Sequence, residues 1–346
     1  MMSEGMSQRD DAYFEAVRQF SSRIKSHSNL VREDQPTFYV YRQWINGIHH
    51  TGIIALVDIE DYMNDVIKRH ENTRVDREKF IARLFDSTKL IAQSVLMGHR
   101  HHEGLHELLK EVVAKTHPVL DFKQGDIHHQ VWVVENSQWQ ASIGEFIREK
   151  KALYIMDGHH RIATIARLYK EYGTEQYRYL PAYLLDENQL HIDPFHRLVQ
   201  DSGVGQEQLI QALEAEFEIR PLVGDLHPKE KGQFTLITNG EAFELEYKGD
   251  KSFELDVYLI EELVLNKVLG ITDTRNDESL SFVKGDSQLR AAIESSITEG
   301  SHLFMLHPCS FNEIGTISDR GDVMPPKSTS VEPKSITGLL NYVYGE

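Results

Sequence analysis

The sequence predicts an α+β fold in which helices pack on a mixed sheet. Some β-rich segments are joined as hairpins, while other segments have apolar residues at helical spacing. This mixture of hairpins and separate helices favours α+β over a doubly wound parallel sheet. The 346 residues are 40% hydrophobic and 26% charged, so the chain can bury a sizeable core without disulfides or structural metals.

The sequence of the first half of the chain predicts five helices, five strands and a disordered tail over 1–11. Helices are expected where apolar positions recur at helical spacing, over 12–27, 76–96, 103–116, 143–150 and 162–172. Strands are expected at the β-rich or apolar runs 37–41, 52–57, 131–134, 152–156 and 179–185. Asn46-Gly47 predicts a hairpin turn between the first two strands, and Gly173 predicts the end of the last helix.

The second half repeats this mixture of elements. Helices are expected over 206–216, 256–268 and 286–297, strands over 233–238, 241–247, 279–283 and 303–306, and an irregular loop over 324–329. The predicted organisation has three parts: a tail and helix over 1–30, a core over 31–200, and an α+β part over 201–346 whose loop packs on the core.

Charge and composition narrow the functional classes. The net charge of −17 argues against nucleic acid as a general partner, because nucleic-acid binders need a basic face. No apolar segment resembles a signal peptide or a membrane span, and the single cysteine, Cys309, fits a reducing compartment. We therefore expect a cytoplasmic protein that acts on a small molecule, in an oligomeric state that the sequence does not predict.

The segment Asp157-Gly158-His159-His160-Arg161 lies between a predicted strand and a predicted helix. The free N–H groups and the dipole of a helix N-terminus form an anion site, and Gly158 lets the backbone approach a ligand. His160 and Arg161 add donors. Asp157 would repel phosphate, which makes sense if it binds Mg²⁺ or accepts a proton. The alternative is an N-cap with surface histidines and an ion-paired arginine.

The sequence Y-I-M-D-G-H-H-R-I-A-T-I around this turn resembles the signature of the domain-of-unknown-function 1015 family. Three further blocks follow the order of the family. They are R-H-E-N-T at 69–73, D-P-F-H-R-L-V at 193–199, and M-P-P-K-S-T at 324–329 with P-K at 333–334 and T-G-L-L at 337–340. The P-P-Y-D-type block with which members usually begin is not found, so its role in this chain is open.

The turn is also similar to that of the ParB/sulfiredoxin superfamily, which implies a core of that fold and a nucleotide site. Known members are nucleotide-gated DNA clamps, sulfinic-acid reductases and free-serine kinases. Sulfiredoxins carry a catalytic cysteine where this chain has His159, and Cys309 belongs to another block. Sulfinic-acid reduction is therefore disfavoured. The acidic charge and the lack of a helix-turn-helix disfavour a DNA clamp.

The predicted function is phosphoryl transfer from a nucleotide, ATP or ADP with Mg²⁺, to a small hydroxyl-bearing metabolite. Glu71 and Asp157 are the predicted base and Mg²⁺ ligands, in an order left open, and His160 completes the catalytic set. The predicted nucleotide contacts are Thr73, Gly158, His159, His160, Arg161, His196, Arg197, Lys327, Ser328 and Thr329. Arg74 is left open as a further phosphate contact.

Plainer interpretations remain for the residues outside the turn. The charged segment 68–74 could be a solvated loop, His196-Arg197 a buried polar pair, and 324–329 a strap over the core. Two other functions also remain. One is a nucleotide sensor without turnover. The other is a metal-dependent hydrolase built on the histidines of 98–107, where an exposed helix start is the favoured interpretation.

Overall fold

The computed structural model describes residues 8–26, 31–250, 255–298 and 300–344. The chain forms two compact units, one of residues 1–190 with 333–346 and one of residues 191–332. The sequence placed a boundary between 200 and 201, whereas here 191–200 belong to the second unit and 333–346 return to the first. Helices and sheets occur in both units, which confirms the α+β class.

The first unit contains six α-helices and ten strands among its described residues. The helices are α1 (Gln8–Lys25), α2 (Ile59–Met63), α3 (Val75–Thr88), α4 (Glu103–Lys115), α5 (Ser137–Glu149) and α6 (His159–Tyr172). The strands are β1 (Tyr39–Ile45), β2 (Ile48–Asp58), β3 (Ile67–Lys68), β4 (Leu90–Ile91), β5 (Val95–His99), β6 (Leu120–Gln124), β7 (Ile127–Val133), β8 (Leu153–Asp157), β9 (Tyr179–Asp186) and, from the chain end, a last strand (Tyr342–Val343).

Eight of these strands form one mixed sheet in the order β3-β8-β5-β9-β2-β1-β7-β6. The β5–β9 and β3–β8 pairs are parallel and the other pairs are antiparallel. The predicted hairpin between β1 and β2 is confirmed. Asn46 and Gly47 take φ values of 49° and 82°, the left-handed pair that a tight two-residue turn requires.

A large cluster of core residues of the first unit lies on one face of this sheet. Alternate apolar residues of the central strands, such as Val40, Ile53 and Met97, pack with residues of the helices, such as Val112 and Ile165. Alternation follows from the strand geometry, because successive side chains point to opposite faces. The segment from β8 to α6 is therefore fixed at both ends: β8 is part of the sheet, and α6 packs on it through residues such as Ile165.

The second unit contains four helices and eight strands among its described residues. The strands are β10 (His191–Pro194), β11 (His196–Val199), β12 (Phe217–Pro221), β13 (Gln233–Thr238), β14 (Glu241–Tyr247), β15 (Leu280–Val283), β16 (His302–Leu306) and β17 (Thr329–Glu332). The helices are α7 (Gln206–Leu213), α8 (Asp256–Leu259, continued by π-helical Ile260–Asn266), α9 (Gly285–Ser295) and α10 (Phe311–Asp319). The final strand of the chain, in the first unit, is β18.

All strand pairs of the second unit are antiparallel. Six strands form a sheet in the order β12-β14-β13-β16-β11-β15, and β10 pairs separately with β17. Its core includes Leu198, Ile237, Leu303 and Met305. Among the described residues of the chain, no helix combines the length and apolar character needed to cross a bilayer.

Several predicted elements need correction. The helix predicted over 76–96 ends at Thr88, where Lys89 adopts a left-handed φ of 51°, and the following residues form β4 and β5. All five residues of β5 are buried, and a short run that is buried on both faces has no period that separates strand from helix. The helix expected at 143–150 begins at Ser137, because Asn136 caps it there.

Other differences concern chain ends and short elements. Residues 8–11 of the predicted tail are helical, while residues 1–7 and 27 lie outside the described residues. Thr329, placed in the irregular loop, begins β17. Helix α10 was not predicted, although the Ser310–Glu313 capping box that begins it is a sequence-level signal. The hairpins, the end of α6 at Gly173 and α4 match the prediction.

Candidate functional site

The strand–turn–helix arrangement predicted around Asp157 is present. Strand β8 ends at Asp157, Gly158 is the N-cap of α6, and no side chain of the described residues caps the helix. Gly158 has φ +101°, and a Cβ there would lie 2.9 to 3.0 Å from the guanidinium atoms of Arg161. A side chain at this position would therefore meet both an unfavourable backbone conformation and a clash.

The Arg161 side chain folds back beneath the turn. Its Nη1 donates to the carbonyl oxygens of Gln93 (2.9 Å) and Ser94 (2.7 Å), and its Nη2 donates to Asp157 Oδ2 (2.6 Å). The side chain is 15% exposed, and burial lowers its pKa against the raising effect of the Asp157 charge. With these contacts Arg161 positions the turn by joining it to residues 93–94. The predicted contact of Arg161 with phosphate stays a prediction.

Asp157 binds a second cation that the predicted site did not contain. Lys334 Nζ lies 2.6 Å from Asp157 Oδ1. Both carboxylate oxygens of Asp157 thus face a cation, since Oδ2 accepts from Arg161. Lys334 belongs to the P-K pair at 333–334, so the sequence contained a signal for it. The contact with Asp157 could not be predicted, because the two residues are 177 positions apart along the chain.

The segment 69–74 lies against the first turn of α6. The Arg74 backbone N–H donates to His160 Nε2 at 3.1 Å, so this nitrogen acts as an acceptor. Burial lowers the pKa of His160 further, with Arg77 adding to the effect. His160 is therefore neutral, and its hydrogen bond with the Arg74 N–H holds the segment 69–74 in place. The predicted catalytic role of His160 stays a prediction.

Thr73 and Arg74, both in this segment, have partners in the chain. The Thr73 hydroxyl donates to Glu78 Oε1 at 2.5 Å, and the guanidinium of Arg74 forms two hydrogen bonds with Asp76. Glu78 also pairs with Arg167 Nη1 at 3.3 Å. The Nε and Nη2 atoms of Arg167 are buried without a hydrogen-bond partner among the described residues. Helices α3 and α6 are thus tied together beside the turn.

Glu71 lies beside a buried pair of histidines. Its Oε2 is 3.5 Å from His159 Nδ1, and the rings of His70 and His159 meet edge to face at 4.5 Å. Burial lowers the pKa of His70 to about 4 and the pKa of His159 well below its usual range. Both rings are neutral at pH 7. Since the His159 side chain is 5% exposed, a phosphate contact at this position would use its backbone N–H.

The remaining predicted residues belong to the second unit. His196 is buried in β11 and its Nδ1 accepts from the Leu306 N–H at 3.2 Å, with burial lowering its pKa to about 4. Arg197 is 2% exposed, donates to the Phe195 carbonyl at 2.7 Å and lies over the Phe282 ring. This arrangement matches the alternative of a buried polar pair.

The three predicted residues Lys327, Ser328 and Thr329, at the start of β17 and in the loop before it, have different environments. Lys327 is exposed, adopts φ +55°, and places Nζ 5.3 Å from the centre of the Phe195 ring. Ser328 is buried and donates to the Pro325 carbonyl at 2.7 Å, and Thr329 pairs with Pro194 in β17. The predicted phosphate contacts of all three stay predictions.

The histidine-dense segment 98–107 caps and stabilises the start of α4. His102 is the N-cap and its Nδ1 accepts from the Leu105 N–H at 3.0 Å. His101 bonds Asp186 through Nδ1 (2.7 Å) and Glu103 through Nε2 (3.1 Å), and hydrogen bonds to these carboxylates raise its pKa. Over the described part of the chain, no three His, Cys, Asp or Glu side chains are grouped as metal ligands.

Asp157, one of the two carboxylates predicted to bind Mg²⁺, fits the ion poorly. Magnesium needs nearly ideal octahedral oxygen geometry, and the protein must supply oxygens that are free to approach it. Both oxygens of Asp157 already face cations at 2.6 Å, and a divalent ion there would be repelled by Arg161 and Lys334. We therefore derive no chemical step through a metal.

Comparison with known proteins identifies the family. The family described as "Protein of unknown function (DUF1015)" matches residues 2–265. The chain belongs to this family. The match begins before the first block noted in the sequence and ends before the M-P-P-K-S-T block. No curated protein matches the chain.

Solved structures with similarity to this DUF1015 chain include three of interest. SbnI with a C-terminal truncation, from Staphylococcus aureus, has a TM-score of 0.46 at 15% identity, covering 81% of this chain and 82% of its own. A free serine kinase in complex with AMP has a TM-score of 0.43 at 14% identity, covering 87% and 91%. A conserved hypothetical protein from Pyrococcus furiosus has 0.40 at 16%, covering 82% and 94%.

Proposed function

We propose that the turn between β8 and α6 binds the phosphates of a nucleotide and that the protein transfers a phosphoryl group to a small hydroxyl-bearing molecule. The observation that carries the proposal is the turn itself. An uncapped helix N-terminus at Gly158 is combined there with two cations and with carboxylates from two separate segments. Helix N-termini favour anions, and phosphoryl transfer depends on positioning and charge stabilisation.

The two carboxylates are suited to different tasks. Asp157 holds Arg161 and Lys334, so it orders the cations of the turn. Glu71 has a side chain that is 38% exposed, and the ring beside it, His159, is neutral. Glu71 is therefore the better base. It would accept the proton of the acceptor hydroxyl while that oxygen bonds to the terminal phosphorus and the bond to the leaving nucleotide breaks.

The test has two stages. A thermal-shift screen of ATP, ADP, CTP and GTP, with and without Mg²⁺, should find a stabilising nucleotide, since ligand at a hundred times its Kd adds about 2.7 kcal/mol. Glu71→Gln should then lower transfer to a hydroxyl acceptor by roughly a hundredfold or more and leave nucleotide affinity within about threefold. The matched control is Glu107→Gln, which makes the same chemical change in the exposed Lys110–Glu107 pair on α4 and should alter neither transfer nor affinity. If no nucleotide shifts the melting temperature at millimolar concentration, the proposal fails.

A nucleotide sensor without turnover is the second candidate, and one observation favours it. The single negative charge of Asp157 lies beside two cations, so the group has an excess positive charge, as in a site built to hold an anion. A sensor would bind the nucleotide, show no transfer with any acceptor, and be indifferent to Glu71→Gln. Transfer that depends on Glu71 would exclude it.

A further inference from the structure

The last described residues of the chain form an ordered segment on the first unit. We name residues 333–344 the C-terminal strap. The Gly338 N–H donates to the Ala92 carbonyl at 2.6 Å, β18 pairs with β4, and the Tyr344 N–H donates to the Lys89 carbonyl at 3.3 Å. The strap is therefore held along residues 89–94, next to the strand β5 that pairs with β8.

The beginning of the strap lies at the Asp157 turn. The Ser335 hydroxyl donates to the Ser94 carbonyl and Gln93 Nε2 donates to the Ser335 carbonyl, each at 3.4 Å. These contacts fix the backbone next to Lys334. Gln93 and Ser94 are also the residues whose carbonyls hold Arg161, so one short segment positions both cations of Asp157.

The two cations of Asp157 differ in their exposure to solvent. Arg161 is 15% exposed and divides its donors between two backbone carbonyls and Asp157. The side chain of Lys334 is 39% exposed. Lysine has an ammonium on a flexible stem that can rotate towards a ligand at the surface, whereas the guanidinium of arginine is a rigid planar fork, which here lies in a mostly buried position.

Other groups of the turn are poorly placed to supply charge. His159 and His160 have lowered pKa values and are neutral at pH 7, and the guanidinium of Arg74 is paired with Asp76. His159 Nε2, in the first turn of α6, is buried with no partner among the described residues. With one carboxylate and two cations, the group of Asp157, Arg161 and Lys334 has a net positive charge beside the positive end of α6.

We propose that Lys334 is a phosphate-binding residue of this site, delivered by the C-terminal strap. In this structure its ammonium donates to Asp157 Oδ1. When a phosphate oxygen arrives, Lys334 donates to it and the Asp157 contact is weakened or lost. No bond is made or broken other than hydrogen bonds. The inference rests on the proposed function for the location of the anion, and it assigns the cation that recognises it.

The experiment uses the full chain and two probes, pyrophosphate and ADP, titrated by calorimetry without divalent metal. Lys334→Gln should weaken the binding of both probes by roughly ten- to a hundredfold, the loss expected for one charge-assisted hydrogen bond. Lys334→Arg keeps the charge and should recover most of the affinity. The matched control is Lys110→Gln, which breaks the exposed Lys110–Glu107 pair on α4 and should change neither affinity.

A double-mutant cycle separates a phosphate ligand from a structural partner of Asp157. Asp157→Asn removes the carboxylate charge beside Lys334 Nζ and should tighten pyrophosphate binding in the wild-type background. In the Lys334→Gln background the same change should tighten binding clearly less, because no ammonium is shared between Asp157 and the phosphate there. Circular dichroism and a melting curve for each variant exclude unfolding as the cause.

The outcomes distinguish this inference from the proposed function. If ADP binds and Lys334→Gln binds both probes as wild type does, the inference is overturned and the nucleotide site stands. If pyrophosphate binds through Lys334 but no nucleotide does, Lys334 is an anion ligand and the proposed function fails. Equal effects of Asp157→Asn in the two backgrounds would make Lys334 a structural partner only and would also overturn the inference.

Discussion

The His160-Arg161 pair of the first unit and the His196-Arg197 pair of the second have the same side chains in different surroundings. At the turn, His160 accepts from a neighbouring backbone N–H and Arg161 bonds two carbonyls and Asp157. In β11, His196 and Arg197 are both buried, and Arg197 is 2% exposed with its guanidinium over Phe282. The same two-residue sequence therefore occurs in a half-buried strand-to-helix turn in one unit and in the interior of a sheet in the other.

The difference follows from the backbone. Residues at a strand-to-helix turn lie next to uncapped N–H groups, so polar side chains there join a site that can receive an anion. Residues inside a central strand are enclosed by neighbouring strands, as β11 is by β15 and β16. A charge in that place must be satisfied by the protein itself. Three predictions can break or sharpen this comparison.

The largest effect expected from a single substitution is on stability, from Arg197→Ala. The change removes a buried donor of the Phe195 carbonyl and the packing over Phe282, and we expect the free energy of unfolding to fall by on the order of 3 kcal/mol. Nucleotide affinity should stay as in wild type. Arg197→Met, which fills most of the volume, should lose less. Urea denaturation and calorimetry measure the two quantities. A stable Arg197→Ala protein that no longer binds nucleotide would instead place Arg197 in the site.

The second prediction concerns acid. Burial lowers the pKa of His70 in the first unit and of His196 in the second to about 4. The unfolded chain, with a histidine pKa of about 6.5, then binds more protons than the folded chain between these values. Stability should be fully present above about pH 6.5 and should fall as the pH drops towards 4, by on the order of 3 kcal/mol for each histidine.

Substitution of each histidine in turn measures how much of the loss of stability in acid comes from each unit. Denaturation at pH 7 and pH 5 should give a smaller difference for His196→Gln than for wild type, and a similar reduction for His70→Gln. The surface variant His191→Gln is the control, because His191 is exposed. A pH difference that neither buried-histidine variant reduces would contradict the assignment.

The smallest expected effect comes from Gly158→Ala. The φ of +101° and the clash with Arg161 predict a loss of about 1 to 2 kcal/mol in the free energy of unfolding and weaker nucleotide binding, because the turn must shift. Gly144→Ala is the matched control. It lies within α5, where the nearest contact of an added Cβ is 3.8 Å, so it should be neutral or slightly stabilising. Equal behaviour of the two variants would mean that the turn tolerates a side chain.

The sequence alone determined the local parts of this protein. The hairpin at Asn46-Gly47, helix α4 and the end of α6 at Gly173 follow from turn chemistry and periodicity, which act over a few residues. The strand–turn–helix unit at Asp157 was predicted for the same reason. The family was recognised from four short blocks, and the match over residues 2–265 confirms it.

Only the tertiary structure decided which distant residues meet. Lys334 reaches Asp157 because the chain returns to the first unit after residue 332, and no periodicity encodes that return. The tertiary structure also decided the environment of each charge. Arg161 is turned inward by two backbone carbonyls, and Arg197 is enclosed in a sheet. Burial and charge neutralisation depend on neighbours from several elements at once, whereas sequence patterns report one element at a time.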